Sequence, residues 1–204
     1  MPLVRECRFT AIDFESAGAA RGRNDTAVQI GLACWSTCGG FQDPFVSYLA
    51  TDEPIQWSAQ KVHGITAEQL AQAPSLLSLW PELKQRLSNS VVVAHGKGTE
   101  KRFLRAFPSH GFGPWVDTLL LARAAWPDLP DHSLGALCTC LGLQDQVLAL
   151  APERHWHDAL FDAFGSLVLL SHLITEMDLG DLPLAHLLSP DNGEWHRSRR
   201  GPMQ

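Results

Sequence analysis

The apolar residues near the start of the chain fall into three short runs separated by turn residues. Residues 7–15 combine apolar, β-branched and aromatic side chains, 26–35 are nearly continuous in apolar residues, and 41–49 follow a Gly-rich turn. Runs of this length and composition are typical of β-strands, and a nearly continuous run is typical of an inner strand. The pattern predicts an antiparallel meander with the second strand in the middle.

After residue 50, helix and strand patterns alternate. Strands are expected at 90–95 and 115–118, and helices at 66–69, 76–87, 99–106, 119–125, 133–141, 158–177 and 182–188, with 54–65 a loop or short helix. Thr66 and Thr99 have the residue type and position of helix N-caps. A meander followed by alternating strands and helices predicts an α/β fold, a mixed sheet of about five strands flanked by helices.

Length and composition fit one main domain. We assign it to residues 1–178 of the 204, with 179–204 as a C-terminal extension that is partly mobile, chiefly at 192–204. The net charge of −6 and pI near 5.8 argue against broad, nonspecific binding to a nucleic-acid backbone. Five cysteines, an odd number, do not suggest a disulfide framework, so we expect reduced thiols. No signal segment and no apolar run of about 18 residues is apparent, so we expect a cytoplasmic protein without a membrane span.

Two carboxylates lie near the end of the first predicted strand, separated by one residue. Because side chains alternate along a strand, Asp13 and Glu15 project from the same face. Close like charges repel each other and burial penalises both, and a divalent cation would remove this cost. Mg²⁺ prefers oxygen ligands and often takes one or two carboxylates. The pair is therefore a candidate metal site; the alternative is an acidic, solvated turn after an edge strand.

Three later residues are candidates to join this pair. Glu100 lies in the first turn of a predicted helix, where an acidic residue also simply stabilises the helix start. Asp162 has apolar neighbours in the long helix, and a buried carboxylate needs a partner such as a metal. His157 precedes that helix, where a neutral imidazole either accepts a proton from water or caps the helix from the surface. Asp158 is better explained as a helix N-cap.

A zinc site built from Cys138 and Cys140 with His155 or His157 is the metal alternative. The two cysteines are one residue apart, whereas zinc knuckles use a two-residue gap. Both cysteines are explained more simply as small residues of a helix. We therefore favour the carboxylate site.

The candidate residues lie in three segments whose order is specific. They are Asp13-x-Glu15, the pattern V-A-H-x-x-x-x-E-x-x-F-L at 93–104, and His157-x-x-x-x-Asp162. Supporting features follow the same order: Gln29-Ile30-Gly31, His63-Gly64-Ile65-Thr66, Asp117-Thr118 and Ser133-Leu134. Over about residues 7–175 the chain resembles the DEDDh, or DnaQ-like, family of 3′→5′ exonucleases, which has a ribonuclease H-like fold.

The resemblance implies hydrolysis of single-stranded DNA or RNA from the 3′ end to nucleoside 5′-monophosphates. Two ions, Mg²⁺ or Mn²⁺, would take part. Asp13, Glu15 and Asp162 would hold one, and Asp13 with Glu100 the other. His157 would act as general base toward the attacking water.

The resemblance also implies where the substrate lies. The terminal base is expected against residues near the first motif, namely Phe14, Ala17 and Gly18, with Trp57 and His63 as further candidates. Basic residues of the second motif would contact phosphates or form a solvated helix face, namely Lys97, Lys101 and Arg102. A homodimer is compatible with the resemblance, because many relatives are homodimers.

The second motif departs from the family pattern. The family has aspartate where this chain has Glu100, and asparagine where it has Gly96. The longer side chain either fits after a small backbone change, alters the metal preference, or cripples the site. The alternative to an active enzyme is therefore a catalytically weakened nuclease fold that serves as a nucleic-acid-binding or protein-assembly module.

Overall fold

A computed structural model of the chain describes residues 1–19 and 25–190. The strands that it contains are β1 (Phe9–Ser16), β2 (Ala27–Ser36), β3 (Gly40–Tyr48), β4 (Val91–Ala94) and β5 (Trp115–Asp117). They form one sheet in the order β3-β2-β1-β4-β5. The first three strands pair antiparallel, and β4 and β5 join in parallel. The predicted mixed sheet is confirmed, with β2 in the middle of the meander and β1 in the middle of the sheet.

The helices of the described ranges flank this sheet. They are α1 (Trp57–His63), α2 (Ala67–Leu70), α3 (Trp80–Leu87), α4 (Gly98–Leu104), α5 (Thr118–Ala125), α6 (Leu134–Cys140), α7 (Gln144–Leu150), α8 (Ala159–Glu176) and α9 (Ala185–Leu188). Two 3₁₀ segments, Val4–Glu6 and Leu76–Leu79, precede β1 and α3.

Three local predictions were wrong. The predicted helix 76–87 begins as a 3₁₀ turn and becomes α-helical only from Trp80. Helix α4 begins one residue early, so Lys97 and not Thr99 is its N-cap. Helix α7 was missed, because Val147 is its one buried residue and a single buried position gives no helical period.

The sheet has a core on each face. On one face Phe9 and Ala11 of β1 pack with helix α8, and on the other Ile12 and Phe14 pack with residues of α3 and α4. Among the described residues, α8 is the one helix long and apolar enough to cross a membrane, but 72% of it is buried inside the protein. It packs chiefly against β2 and β1, as the central helix of a packed core does.

Residues 179–190 pack against the N-terminal segment. The amide of Val4 donates to the carbonyl of Leu182 at 2.9 Å, and the amide of Leu184 donates to the carbonyl of Pro2 at 3.0 Å. Leu179 and Leu187 are buried in the α8 core. The stretch predicted to be mobile, 192–204, and residues 20–24 of the predicted loop 16–25 lie outside the described residues.

Candidate active site

The carboxyl end of β1 carries the first two predicted ligands. Asp13 pairs with Gly31 of β2, and Glu15 pairs with Gln29. Because alternate residues share a face, Asp13 and Glu15 lie on the same face as Phe9 and Ala11, which is the face covered by α8. Both carboxylates are thus directed toward the helix that carries Asp162.

Helix α8 can approach the strand because Gly31 has no side chain. A Cβ on Gly31 would lie 2.2 Å from the carbonyl carbon and oxygen of Ala159 and from the amide nitrogen of Leu160. Backbone atoms cannot give way as a flexible side chain can. The glycine therefore sets the distance between β2 and the beginning of α8, and with it the distance between Glu15 and Asp162.

A hydrogen-bonded anchor fixes the start of α8 on β2. The Gln29 side chain donates from Nε2 to Asp158 Oδ2 at 3.0 Å and accepts at Oε1 from the amide of Ala159 at 2.9 Å. Asp158 Oδ1 accepts the amides of Leu160 and Phe161, so it is the N-cap, as predicted. Its Oδ2 also accepts from Arg154 at 2.6 Å. With these bonds in place, Asp158 is occupied as a structural residue.

Glu15, His157 and Asp162 form a compact group. Each has a ligand atom within 4.8 Å of those of the other two. His157 is exposed, lies at a positive φ of 69°, and donates its backbone amide to Asp162 Oδ1 at 3.4 Å. The loop before α8 thus turns the imidazole toward both carboxylates. This brings three of the five predicted catalytic residues together.

The carboxyls of this region resist ionisation without a cation. Burial raises the pKa of Asp13 well above its usual value, and the nearby Asp162, Glu15 and Glu100 raise it further. Burial and Asp162 raise the pKa of Glu15 to about 8. Burial is also the main cause that raises the pKa of Asp162 to about 7. Such a concentration of buried acids is typical of functional sites, where a bound cation supplies the missing charge.

Glu100, the predicted ligand from the second motif, lies on helix α4. It lies in the first turn of α4, its residue is only 4% exposed, and its Oε2 has no hydrogen-bond partner. Burial raises its pKa to about 7, and Asp117 adds to this. The charge of Glu100 contributes to the raised pKa of Asp13, yet neither Asp13 nor Glu100 belongs to the compact group of Glu15, His157 and Asp162.

Asp117 holds the turn that carries Glu100. Its Oδ1 accepts the amides of Gly96, Leu119 and Leu120, and its Oδ2 accepts the amide of Lys97 at 3.3 Å. The carboxylate therefore caps α5 and fixes the β4–α4 turn at once. Gly96 adopts a φ of 85°, a conformation that favours glycine.

Two predicted substrate residues, Phe14 and Ala17, are buried in the protein. Phe14 lies on the face of β1 opposite Asp13 and packs against Phe103 with ring centroids 5.2 Å apart. Ala17 is buried, and Gly18, at a φ of 85°, has room for no side chain because a Cβ would lie 3.1 Å from Ala59 and Gln56. Of these residues, Gly18 offers mainly backbone to a ligand.

His63 ties α1 to the end of β1. Its Nδ1 accepts the amide of Ile65 at 3.0 Å, so its Nε2 carries the proton and donates to the carbonyl of Ser16 at 3.1 Å. Burial lowers the pKa of His63, which keeps the ring neutral. The ring also lines a cavity of about 200 Å³ that includes His155 and Asp158.

The basic residues of the second motif have protein partners. The ammonium of Lys101 lies 5.2 Å from the centroid of the Trp115 ring, and Arg102 pairs with Asp25 at 2.8 Å. Lys97 begins helix α4 and is partly exposed. Of the alternative zinc ligands, Cys138 is buried and Cys140 exposed, so the two thiols point in different directions from α6.

Gln29, Gly31 and Asp117 matched the motif order, but no structural role was predicted for them. A signal for each was present, because polar or glycine residues inside apolar strands need a reason. What was missing is the partner, which for Gln29 lies 129 residues away.

Comparisons with known proteins identify a family and several relatives of the chain. The family model RNase_T, described as Exonuclease, matches residues 10–170. A PolC-type DNA polymerase III of Thermotoga petrophila is 31% identical over 160 residues, which are 76% of this chain and 11% of the polymerase. Exodeoxyribonuclease 10 of Escherichia coli K12 is 30% identical over 132 residues, which are 65% of this chain and 55% of that enzyme. The chain thus spans a small part of the polymerases and about half of the exonuclease.

Solved structures extend the likeness to the fold. Exonuclease X in complex with 5′-overhanging duplex DNA is 26% identical, has a TM-score of 0.72, and is matched over 89% of this chain and 99% of that chain. The nuclease domain of 3′hExo, a DEDDh family member bound to rAMP, shares the fold at 15% identity and a TM-score of 0.66, over 86% of this chain and 94% of that chain.

Proposed function

Because this chain belongs to the RNase_T exonuclease family, we propose that it hydrolyses phosphodiester bonds at the 3′ ends of nucleic acids and releases nucleoside 5′-monophosphates. The observation that carries the proposal is the group of Glu15, His157 and Asp162, whose ligand atoms lie within 4.8 Å of one another. Two acids and an imidazole so close together suit hydrolysis better than binding alone. A binding module has no need for a histidine beside clustered carboxylates.

The donor set fits hard divalent cations. Carboxylate oxygens are the ligands that Mg²⁺ and Mn²⁺ prefer. The buried Oε2 of Glu100 has no partner, and burial makes Glu15 and Asp162 hard to ionise, so each carboxyl would gain from a nearby cation. We propose that Asp13, Glu15 and Asp162 hold one ion and that Asp13 and Glu100 hold a second.

Bound ions would stabilise the negative charge of the attacking and leaving oxygens of an in-line displacement. The remaining steps belong to the protein. His157 would accept the proton of the attacking water at a ring nitrogen, and its exposed loop gives it access to solvent. The bond from its backbone amide to Asp162 keeps the loop beside the carboxylates. The hydrogen bonds of Gln29 with Asp158 and Ala159 hold the start of α8, and with it Asp162, in place.

We take single-stranded DNA ends as the first substrate and RNA ends as the second. Two of the similar proteins are Exodeoxyribonuclease 10 and Exonuclease X, the latter seen with duplex DNA that has a 5′ overhang. Discrimination between the sugars depends on contacts to the 2′-OH. Both sugars therefore belong in the first experiment.

A second candidate function is a weakened nuclease that binds nucleic acid or assembles with proteins. The observation that favours it is the position of Glu100, which stays outside the compact group of ligand atoms. If the Glu100 carboxylate does not reach an ion shared with Asp13, the second proposed ion is not held. The fold and the site for the first ion would persist.

The test is digestion of 5′-labelled DNA and RNA oligonucleotides with Mg²⁺ or Mn²⁺ by wild type, Asp13→Ala and Glu100→Asp. The expected result is a ladder that shortens from the 3′ end and disappears in Asp13→Ala. Asp128→Asn, an exposed aspartate, is the control and should match wild type. Faster cutting by Glu100→Asp would identify the glutamate as a brake, and slower cutting would show a site adjusted to it. No cutting by any version with either metal would favour the binding module.

A further inference from the structure

Helix α1 exposes an aromatic side chain beside the candidate active site. Trp57 is 74% exposed, and in the part of the chain that the structure describes it is the single aromatic residue on the open surface. The ammonium of Lys61, one helical turn later, lies 5.2 Å from the centroid of its ring. Most of the indole is therefore open to contact with a ligand, and a cation lies beside it.

The pair matches the chemistry of a nucleic-acid strand. Aromatic rings stack on bases irrespective of sequence, and a neighbouring cation binds the phosphate of the same strand. With Lys61 above one face of the indole, the other face is left for a base. The neighbours Ser58 and Gln60 are polar, and Val62 is the one other large apolar residue that α1 exposes, so the patch lacks the broad apolar centre of a protein–protein interface.

Contacts with the end of β1 place this surface next to the catalytic group. The amide of Gln56 donates to the carbonyl of Ala17 at 2.7 Å, and His63 at the other end of α1 binds the carbonyl of Ser16. Gly18 packs against Ala59 without space for a side chain. The helix therefore runs along the residues that directly follow Glu15.

We propose that Trp57 and Lys61 form a docking surface for the substrate strand, in which the indole stacks on a base 5′ of the cleaved nucleotide and the ammonium binds a neighbouring phosphate. This inference rests on the proposed exonuclease function and specifies how that site holds its substrate. It differs from the expectation that Trp57 contacts the terminal base, because the ring lies on the outer surface of α1 and not among the carboxylates.

Binding tests the surface without cleavage. In an Asp162→Asn background with Mn²⁺, fluorescence anisotropy with a labelled 12-nucleotide DNA single strand gives the Kd. Stacking of one base predicts that Trp57→Ala raises the Kd about 5- to 100-fold, whereas Trp57→Phe keeps most of the affinity. Lys61→Ala should raise the Kd by less than Trp57→Ala does. It should also reduce the slope of log Kd against log salt concentration by about 1, the value for one lost phosphate contact. Leu77→Ala and Lys84→Ala change exposed residues on another part of the surface and should match the parent.

A small diester separates docking from chemistry. The p-nitrophenyl ester of thymidine 5′-monophosphate occupies only the catalytic group, so Trp57→Ala in the otherwise native chain should hydrolyse it within about twofold of wild type while its KM for the oligonucleotide rises. Unchanged oligonucleotide binding in Trp57→Ala would overturn the docking surface, and so would a parallel loss on the small diester. If wild type cuts neither substrate, the proposed function fails, yet the binding comparison still decides the surface.

Discussion

Two halves of the candidate site differ in how completely their ligand atoms converge. In the half carried by α8, Glu15, His157 and Asp162 lie within 4.8 Å of one another, whereas in the half carried by α4, Glu100 is buried with its Oε2 unpartnered. Each half depends on an aspartate that caps a helix, Asp158 for α8 and Asp117 for α5. The α8 half carries the residues of the third motif, and the α4 half carries Glu100, where the sequence predicts a departure from the family pattern.

This difference shows that a fixed backbone does not by itself complete a metal site. Asp117 holds the β4–α4 turn through the amides of Gly96 and Lys97 and caps α5 through two more, so the start of α4 is anchored by hydrogen bonds as the start of α8 is. Glu100 nevertheless lies outside the compact group of ligand atoms. The α8 half should therefore contribute most of the activity, and the α4 half should tolerate change better.

The largest expected effect is that of Asp162→Asn. Loss of a carboxylate that holds a cation should reduce kcat about a thousandfold or more, since the charge stabilisation is worth several kcal/mol. Without metal and above about pH 7, the same variant should melt at a higher temperature than wild type, because a buried carboxylate that opposes the ionisation of Asp13 is gone. Glu100→Gln should reduce kcat only about 10- to 100-fold. Single-turnover kinetics and melting curves in EDTA measure both; equal losses in the two variants would remove the distinction between the halves.

Gly31→Ala should disrupt the α8 half through its backbone. The added Cβ meets backbone atoms of Ala159 and Leu160 at 2.2 Å, so α8 must shift, at a cost of about 1–3 kcal/mol in the free energy of unfolding and a loss of activity. Urea denaturation provides the measurement. Gly135→Ala in α6 is the control, because its Cβ would make ordinary contacts at 3.5 Å and should stabilise the helix by about 0.5–1 kcal/mol. Equal stability of the two variants would show that α8 does not depend on this close approach.

The metal-free protein should lose stability as the pH rises. The folded chain holds protons on Glu15 to about pH 8 and on Asp162 and Glu100 to about pH 7, whereas the unfolded chain releases them near pH 4. The folded state therefore binds more protons between these values, and the free energy of unfolding decreases from about pH 4 to about pH 8. Saturating Mn²⁺ should reverse the trend, because the ion competes with the protons. Melting curves with EDTA and with Mn²⁺ across this range check the prediction; identical profiles would argue against a metal site.

Asp117→Asn should have the smallest effect. The asparagine Oδ1 can still accept the three amides that Asp117 Oδ1 accepts. The side-chain nitrogen would replace Oδ2, so it would face the amide of Lys97 donor to donor, and only that bond would be lost. We expect a loss of about 1 kcal/mol in stability and a modest loss of Mn²⁺ affinity, whereas Asp117→Ala should lose more of both. Isothermal titration with Mn²⁺ measures the affinity. An equally large loss in both variants would show that the negative charge matters more than the four hydrogen bonds.

The strands and most helices could be predicted because local patterns specify them. A short apolar, β-branched and aromatic run defines β1, the continuous apolar run defines the inner strand β2, and an apolar stretch after a capping aspartate defines α8. The alternation of side chains along a strand placed Asp13 and Glu15 on one face. Helix α7 and the first turn of α4 escaped prediction, because one has a single buried residue and the other is shaped by Asp117 on a different strand.

The sequence alone determined which residues are candidates for chemistry, since motif order and residue type are properties of the chain. Only the tertiary structure decided which of them meet. It joined Glu15, His157 and Asp162, left Asp13 and Glu100 outside that compact group, and directed Phe14 into the core. The physical reason is that convergence depends on contacts between distant residues, such as Gln29 with Asp158 and Gly31 with Ala159. No local pattern encodes the distance at which a helix packs on a strand.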